Sequence, residues 1–246
     1  MSRADRLPPP PDRRPDVTPT AFTTLARQHA DFDWLDGAVA FVDETMDHDG
    51  SHDFGHLLRV LRNADAICQG ERDEGRNPDW PVVAAAALMH DIVNLPKDDP
   101  RRSQASSMSA DRALSYFQGR QIFAAEQLDM LADAIRTHSF SAGLEPGFLE
   151  SEIVRDADRL EALGAFGLAR CFQVSGMLDR AIVDMEDPWA QDRELDDYEY
   201  AVDHFFTKLL GLESSFATAT GREMASRRTD FIRSFADQLE RELDPT

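Results

Sequence analysis

The longest apolar run of the chain covers residues 82–89, where valine, alanine, leucine and methionine follow one another without a polar interruption. A helix with apolar residues on every side needs protein around its whole circumference, which only the centre of a folded domain provides. The run is much shorter than the roughly 18 residues of a membrane-spanning helix. The sequence therefore predicts a central buried helix over residues 81–91 and no membrane span.

Helical periodicity extends over most of the remaining chain. Residues 53–72 form the clearest amphipathic segment, because apolar side chains recur at helical spacing along one face. No segment shows the alternation that is typical of a β-strand, so we predict an all-α fold. The other predicted helices cover residues 20–46 (as one helix or two), 103–118, 124–138, 150–163, 167–178, 198–210 and 215–240.

Two segments fall outside this helical pattern. Residues 1–17 are polar, charged and rich in proline, and we predict a disordered tail. Residues 181–195 are acidic and include Pro188, and we predict a long loop there. The simplest organisation is a single helical domain over residues 18–246, with its core over about 48–165 and a C-terminal helical extension over about 166–246.

The composition limits the possible partners. The formal net charge of −20 argues against duplex nucleic acid, while a small anion can still bind where local cations outweigh this charge. The N-terminal residues lack the apolar stretch of a secretory signal, so we expect a cytoplasmic protein. Cys68 and Cys171 each lie in an apolar stretch, which favours buried thiols over a disulfide or a redox pair. The sequence makes no prediction of the oligomeric state.

Two ionisable residues, His90 and Asp91, close the apolar helix. Burying such groups without partners costs several kcal/mol, and a divalent cation is one partner that compensates this cost. Because neighbouring residues lie about 100° apart on a helix, a long imidazole and a short carboxylate can converge beyond the helix end. The alternative is a histidine at the helix end with an aspartate that caps the next loop.

Two further motifs carry ionisable groups. His52 and His56 lie one helical turn apart, and His56 lies at the edge of the apolar stripe and is expected to point inward. The alternative is that His52 caps the helix and His56 is a satisfied core histidine. Asp156 and Asp158 interrupt a helix whose periodicity does not decide which of them faces the core, and a solvated, salt-bridged face is the alternative there.

The order His56, His90-Asp91 and Asp158 along successive predicted helices is more specific than any one of its parts. It resembles the HD superfamily of metal-dependent phosphohydrolases, which is defined by the pattern H…HD…D in an all-α helical bundle. The resemblance covers about residues 30–240 and is nearest to the YedJ-like bacterial subgroup. Matching segments include His52-Asp53-Phe54-Gly55-His56, Leu88-Met89-His90-Asp91-Ile92-Val93, Pro96-Lys97, His138-Ser139-Phe140-Ser141 and Asp156-Ala157-Asp158-Arg159-Leu160-Glu161.

The resemblance implies that His56, His90, Asp91 and Asp158 hold a single divalent cation. Asp158 matches the aspartate of the family's A-D-x-L pattern, which gives Asp156 a supporting role. Asp156 as the fourth ligand is the alternative. Imidazole and carboxylate ligands suit Mn²⁺, Mg²⁺, Ni²⁺, Fe²⁺ or Zn²⁺, and the set contains no thiolate that would select among them.

The resemblance also implies residues that contact the substrate. Lys97, Arg102 and Ser106 follow the HD dyad at a loop-to-helix junction that suits phosphate, although an exposed polar loop with an N-cap serine is the alternative. His52 and His138 are expected to line the pocket and to hydrogen-bond the metal-bound water or the phosphate, with protonated imidazole as a general acid. The predicted catalytic residues are His52, Asp91, Lys97 and His138, and the predicted substrate-binding residues are His52, Lys97, Arg102, Ser106 and His138.

The function that this resemblance implies is hydrolysis of a phosphoester or phosphoanhydride in a small nucleotide. Nucleoside triphosphate pyrophosphohydrolase activity is the finer expectation. One alternative is a non-catalytic nucleotide-binding regulator. Another is a di-iron oxygenase of the HD type, which needs two extra histidines between the HD dyad and the final aspartate. Only His138 lies in that interval, which favours one metal ion.

Overall fold

The computed structural model describes residues 19–46, 53–95, 99–139 and 142–244, and these residues are predominantly helical. They contain no β-strand, only an isolated parallel bridge between Ala181 and Tyr200. The prediction of an all-α fold is confirmed. Within the described ranges the α-helices are α1 (Pro19–Ala26), α2 (Leu35–Thr45), α3 (Phe54–Asp73), α4 (Trp80–Met89), α5 (Ala105–Gln118), α6 (Ala125–Thr137), α7 (Leu149–Arg159), α8 (Gly164–Met177) and α9 (Ala219–Leu243).

Helix α4 lies at the centre of the fold. All its residues except Pro81 are buried, and α2, α3, α5, α6 and α7 pack around it. The side chain of Asp79 caps the helix by accepting a hydrogen bond from the Val82 amide at 3.3 Å. Pro81 lies in the first turn, where its missing amide hydrogen leaves no helical bond unmade. The helix ends at Met89. His90 and Asp91 therefore follow the helix, whereas the sequence analysis predicted them as its last two residues.

Helix α3 brings the first histidine motif against this centre. The Asp53 side chain accepts a hydrogen bond from the His56 amide at 2.9 Å, which caps the helix. The apolar face predicted from the periodicity, including Leu57, Val60 and Leu61, is buried. His52 lies outside the described residues, so its predicted position beside this helix stays a prediction.

The C-terminal extension packs directly on the core, because α9 contacts α3, α7 and α8. The buried Asp156 carboxylate of α7 accepts hydrogen bonds from the Ala217 amide at 3.1 Å and from the Thr218 amide and hydroxyl at 2.8 Å each. Gly221 is required beside this carboxylate, because a Cβ atom there would lie 2.6 Å from Asp156 Oδ2. The Asp156 carboxylate therefore binds the start of α9 to the core by hydrogen bonds.

Between α8 and α9 the structure departs from the predicted helix over residues 198–210. The helical conformation there begins only at Asp203 and continues as the π-helical turn Phe205–Leu209 and the 3₁₀ segment Leu210–Ser215. Asp203 accepts hydrogen bonds from both terminal nitrogens of Arg193, at 2.6 and 2.9 Å, and from the Asp196 amide at 2.6 Å. These side-chain bonds hold the preceding backbone in turns, which local apolar periodicity does not reveal.

Three smaller predictions concern the cysteines, a membrane span and the N-terminal tail. Cys68 and Cys171 are both buried and free, as predicted. In the described part of the chain, no helix combines the length and the apolarity needed to cross a bilayer. The predicted tail over residues 1–17 lies outside the described residues.

We expect Asp156→Ala to lower the free energy of unfolding by about 2–4 kcal/mol, because it leaves buried amide and hydroxyl donors of residues 217 and 218 without an acceptor. Urea unfolding of the metal-free protein measures this change. Asp158→Ala is the matched control, because Asp158 lies two residues away and makes none of these bonds. A loss in Asp158→Ala as large as that in Asp156→Ala would contradict this structural role for Asp156.

Candidate metal centre

Five ionisable side chains from four parts of the chain meet at the end of α4. His56 lies in the first turn of α3, His90 and Asp91 directly follow α4, His138 directly follows α6, and Asp158 lies near the end of α7. The three imidazoles are buried, while the Asp91 and Asp158 side chains keep 21% and 25% of their surface exposed. The carboxylates therefore face the open side of the cluster, and the imidazoles close its inner side.

The separations between the side-chain atoms suit a common cation. His56 Nε2 lies 3.2 Å from His90 Nε2 and 3.5 Å from Asp158 Oδ1. Asp91 Oδ2 lies 3.6 Å from His56 Nε2 and 3.5 Å from His90 Nε2. Ligands bonded to one ion at about 2.0–2.2 Å are separated from one another by roughly 2.9–4.4 Å. His56, His90 and Asp158 therefore form one group of donors that could hold a metal ion, and Asp91 lies beside both histidines of that group.

Neighbouring groups orient two of the imidazoles. His90 Nδ1 lies 3.1 Å from the Ala87 carbonyl oxygen and donates to it, which leaves Nε2 with its lone pair toward the cluster. His56 Nδ1 lies 3.7 Å from Glu161 Oε2, and Arg59 holds that carboxylate with a hydrogen bond of 2.5 Å. A hydrogen bond from the far nitrogen, as His90 makes, is typical of histidine metal ligands. The His56–Glu161 contact is within ion-pair distance but is longer than a hydrogen bond.

The electrostatics of the cluster also favour a cation. Burial opposes the charged form of His56, but interactions with Asp91, Glu161 and Asp158 outweigh it and raise the pKa of His56 to about 9. Burial lowers the pKa of His90 to about 4. Burial opposes ionisation of Asp91, but the surrounding histidines hold its pKa well below the usual range. The cluster thus keeps negative charge at Asp91 and stabilises positive charge between its carboxylates.

His138 lies nearer to the ligand set than its predicted role as a pocket-lining residue requires. Its Nδ1 donates to the Ile135 carbonyl oxygen at 2.7 Å, and its Nε2 lies 3.3 Å from Asp91 Oδ1. Among the residues that the structure describes, two overlapping groups of side chains could therefore hold a metal ion. Both include His90: one adds His56 and Asp158, and the other adds Asp91 and His138.

The structure distinguishes Asp156 from Asp158, between which the sequence did not decide as the fourth proposed ligand. The Asp158 carboxylate faces His56 and His90, whereas the Asp156 carboxylate points away and binds the start of α9. Asp156 therefore supports the fold and not the orientation of the proposed ligands. The two carboxylates act on different sides of the same helix.

A cavity of about 220 Å³ adjoins the cluster. Arg102 and Ser106 line it, as predicted for substrate-binding residues, and Arg102 donates to the Leu95 carbonyl oxygen at 2.9 Å. The Ser106 hydroxyl is buried and has no hydrogen-bond partner among the described residues. Lys97 lies outside the described residues.

Sequence reasoning missed three cations that line this cavity: Arg159, Arg170 and Lys208. Arg170 and Lys208 come from the C-terminal extension, far from the motifs along the chain. One signal in the sequence was available for Lys208, because the chain contains only this lysine and Lys97. A residue type that is used so sparingly is a candidate for a specific role.

Comparisons with known proteins assign the family. The HD domain family matches residues 53–163 of this chain. The uncharacterized protein YpgQ from Bacillus subtilis strain 168 is 32% identical over 201 residues, which make up 80% of this chain and 87% of YpgQ. The chain belongs to the HD domain family.

Solved structures share the fold. A crystal structure of an HD-superfamily hydrolase from Bacillus thuringiensis is 25% identical and covers 85% of this chain and 96% of the hydrolase, with a TM-score of 0.64. A crystal structure of Bacillus subtilis YpgQ in complex with ADP is 28% identical and covers 84% of this chain and 98% of YpgQ, with a TM-score of 0.59. The predicted HD superfamily and helical fold are confirmed. The YedJ-like subgroup stays a prediction.

We expect the purified protein to bind a single divalent cation per chain, and His90→Ala and Asp91→Ala each to lose it, because each change removes a proposed ligand. Metal content is measured by inductively coupled plasma mass spectrometry after gel filtration. His138→Ala is the matched comparison and should retain most of the metal. Two equivalents in the parent that fall to one in His138→Ala would replace the mononuclear centre with a dinuclear one.

Proposed function

We propose that this protein is a metal-dependent phosphohydrolase that acts on a small phosphorylated substrate, specifically a nucleotide. The observation that carries the proposal is the position of the donor cluster, which opens into a cavity lined by Arg102, Arg159, Arg170 and Lys208. These cations gather in a chain whose formal net charge is −20. An anion is the ligand that such a cavity attracts.

The relatives support the nucleotide as the substrate class. A neighbour of the same fold is an HD-superfamily hydrolase, and another relative, YpgQ, has been crystallised with ADP. A nucleotide carries the phosphate oxygens that the cavity cations attract. Hydrolysis of a nucleoside triphosphate to a monophosphate and pyrophosphate is the finer form of this proposal.

The proposed ligands are His56, His90, Asp91 and Asp158. A divalent cation held there supplies an activated water and polarises a P–O bond. The protein side chains perform the other tasks. Arg102 offers a planar pair of N–H donors to phosphate oxygens, and Ser106 offers a short hydroxyl donor. These contacts neutralise the phosphoryl oxygens as negative charge develops on them.

His138 is the proposed general acid. Its Nδ1 hydrogen is engaged by the Ile135 carbonyl, so a hydrogen bond from Nε2 to Asp91 requires the protonated imidazolium. That Nε2 proton can pass to the leaving oxygen of the substrate. We propose that His52 and Lys97 assist in the same cavity, His52 by hydrogen bonding to the water or the phosphate and Lys97 by charge.

The two alternatives predict different outcomes in the same assay. A nucleotide-binding regulator binds nucleotides without releasing phosphate or pyrophosphate. A di-iron oxygenase of the HD type holds two iron ions and consumes oxygen. The intact set of His56, His90, Asp91 and Asp158 is the feature that favours hydrolysis over the regulator.

We expect the protein to hydrolyse nucleotides in the presence of Mn²⁺. Arg102→Ala should lose catalytic efficiency selectively, according to the number of phosphates on the substrate. The value of kcat/KM should fall about 10- to 100-fold on a triphosphate, because a charge-assisted hydrogen bond contributes about 1.5–3 kcal/mol. The fall in kcat/KM should be largest on a triphosphate, smaller on a diphosphate and smallest on a monophosphate. For Lys97→Ala we expect a fall in kcat/KM that decreases in the same order. Separate phosphate and pyrophosphate assays measure both rate and product.

Arg101→Ala is the matched control, because Arg101 neighbours Arg102, pairs with Asp99 and does not line the cavity. Its kcat/KM should stay near that of the parent on every nucleotide. Equal losses in Arg102→Ala across the phosphate series, at unchanged metal content, would show that this junction does not bind the phosphate chain.

A further inference from the structure

A second cavity of about 390 Å³ adjoins the cavity at the metal centre. Arg102, Ala162, Arg170 and Lys208 line both cavities, so the two share a wall. We call the second cavity the side chamber, and the three shared cations its neck. Ligand pockets typically measure about 300–1,000 Å³, so the side chamber can hold a substantial part of a small molecule.

The side chamber is built by the C-terminal extension. Helix α8 provides Cys171, Val174 and Ser175, and the segment before α9 provides His204 and Leu209. Nearly all of these residues follow residue 163, where the match to the HD domain family ends. The chamber thus lies mostly outside the segment that matches the HD domain family.

The neck carries cations that have few partners. Arg170 and Lys208 make no ion pair with any residue that the structure describes, although many arginines of this acidic chain are paired. An unpaired cation beside a cavity attracts an anion more strongly than a paired one. The neck is therefore suited to the phosphate chain of a substrate that reaches the metal centre.

The remainder of the chamber has a different character. Val174, Leu178 and Leu209 give it apolar surface, and the half-buried His204 gives it a polar group of fixed orientation. Arg180 and Asp197 add one charge of each sign to its wall. His204 Nδ1 donates to Asp197 Oδ2 at 2.8 Å, so this carboxylate fixes the orientation of the imidazole ring. Apolar surface with a few oriented polar groups is the usual environment of an organic ring in a binding pocket.

We propose that the side chamber binds the nucleoside part of the substrate, while Arg170 and Lys208 hold its phosphates against the metal centre. This inference rests on the proposed nucleotide hydrolysis and extends it. The two cavities together match the parts of a nucleotide. Cations gather at the neck beside the metal centre, and the chamber beyond combines apolar surface with polar groups of both signs. Selectivity for base and sugar then resides in the extension and not in the HD motifs.

The test fills the chamber with Val174→Trp and uses Gln173→Trp as the matched control, because Gln173 is the exposed neighbour on α8 and does not line the chamber. Calorimetry with ADP and saturating Mn²⁺ measures binding. We expect Val174→Trp to weaken ADP binding about 10- to 100-fold, the range for loss of a base-stacking contact. Gln173→Trp should bind ADP like the parent.

A second measurement separates this inference from the proposed reaction. Turnover is compared on adenosine triphosphate and on methyl triphosphate, which has the same phosphate chain without a nucleoside. The ratio of the two kcat/KM values should fall by the same factor in Val174→Trp. A further outcome is that neither compound is hydrolysed, while Val174→Trp loses ADP binding and Gln173→Trp keeps it. In that case the chamber assignment stands and the hydrolysis proposal fails.

Lys208→Glu provides a variant that does not depend on filling the chamber, because Lys208 is exposed and its replacement leaves the core intact. It should weaken ADP binding at least about tenfold, since it reverses the charge at the neck. The inference is overturned if the parent does not bind ADP, if folded Val174→Trp binds ADP as the parent does, or if Lys208→Glu does so.

Discussion

The buried contact between His56, His90 and Asp91 at the end of α4 is the constraint on which the rest of the structure depends. Ionisable groups in a protein interior are stable only when they compensate one another or hold a cation. The helices that supply these groups are themselves core helices, and α4 is apolar on every side. The hydrophobic packing that forms the fold therefore also fixes the separations of the proposed metal ligands.

The C-terminal extension is joined by hydrogen bonds to the helices that carry His56 and Asp158. Arg228 of α9 donates to Asn63 Oδ1 at 2.7 Å and to the Leu160 carbonyl oxygen at 2.5 Å. Asn63 in turn donates to the Ala157 carbonyl oxygen at 3.0 Å, next to the proposed ligand Asp158. Because these bonds join α9, α3 and α7, the extension stabilises the helix that presents Asp158, in addition to forming the wall of the side chamber.

Sequence reasoning predicted the features that depend on local patterns. The apolar run of α4 and the stripe of α3 gave the fold class, because helical periodicity is a local property. Periodicity could not separate Asp156 from Asp158, since the choice depends on where residues 217 and 218 pack. Arg170 and Lys208 were missed because only tertiary folding brings them to the cavity. The turns before residue 205 were missed because the side chain of Asp203 binds neighbouring donors and displaces helical bonds.

The charge distribution is compatible with the proposed binding of a small anion by so acidic a protein. The net charge of −20 repels every polyanion at long range, but this repulsion is screened within about 8–10 Å at physiological salt. At shorter range the cations of the neck and of the metal cavity dominate. A small anion that enters the cavity would meet these cations, as the proposed function requires. The proposed preference for a small anion thus rests on where the cations lie in the fold and not on the net charge of the chain.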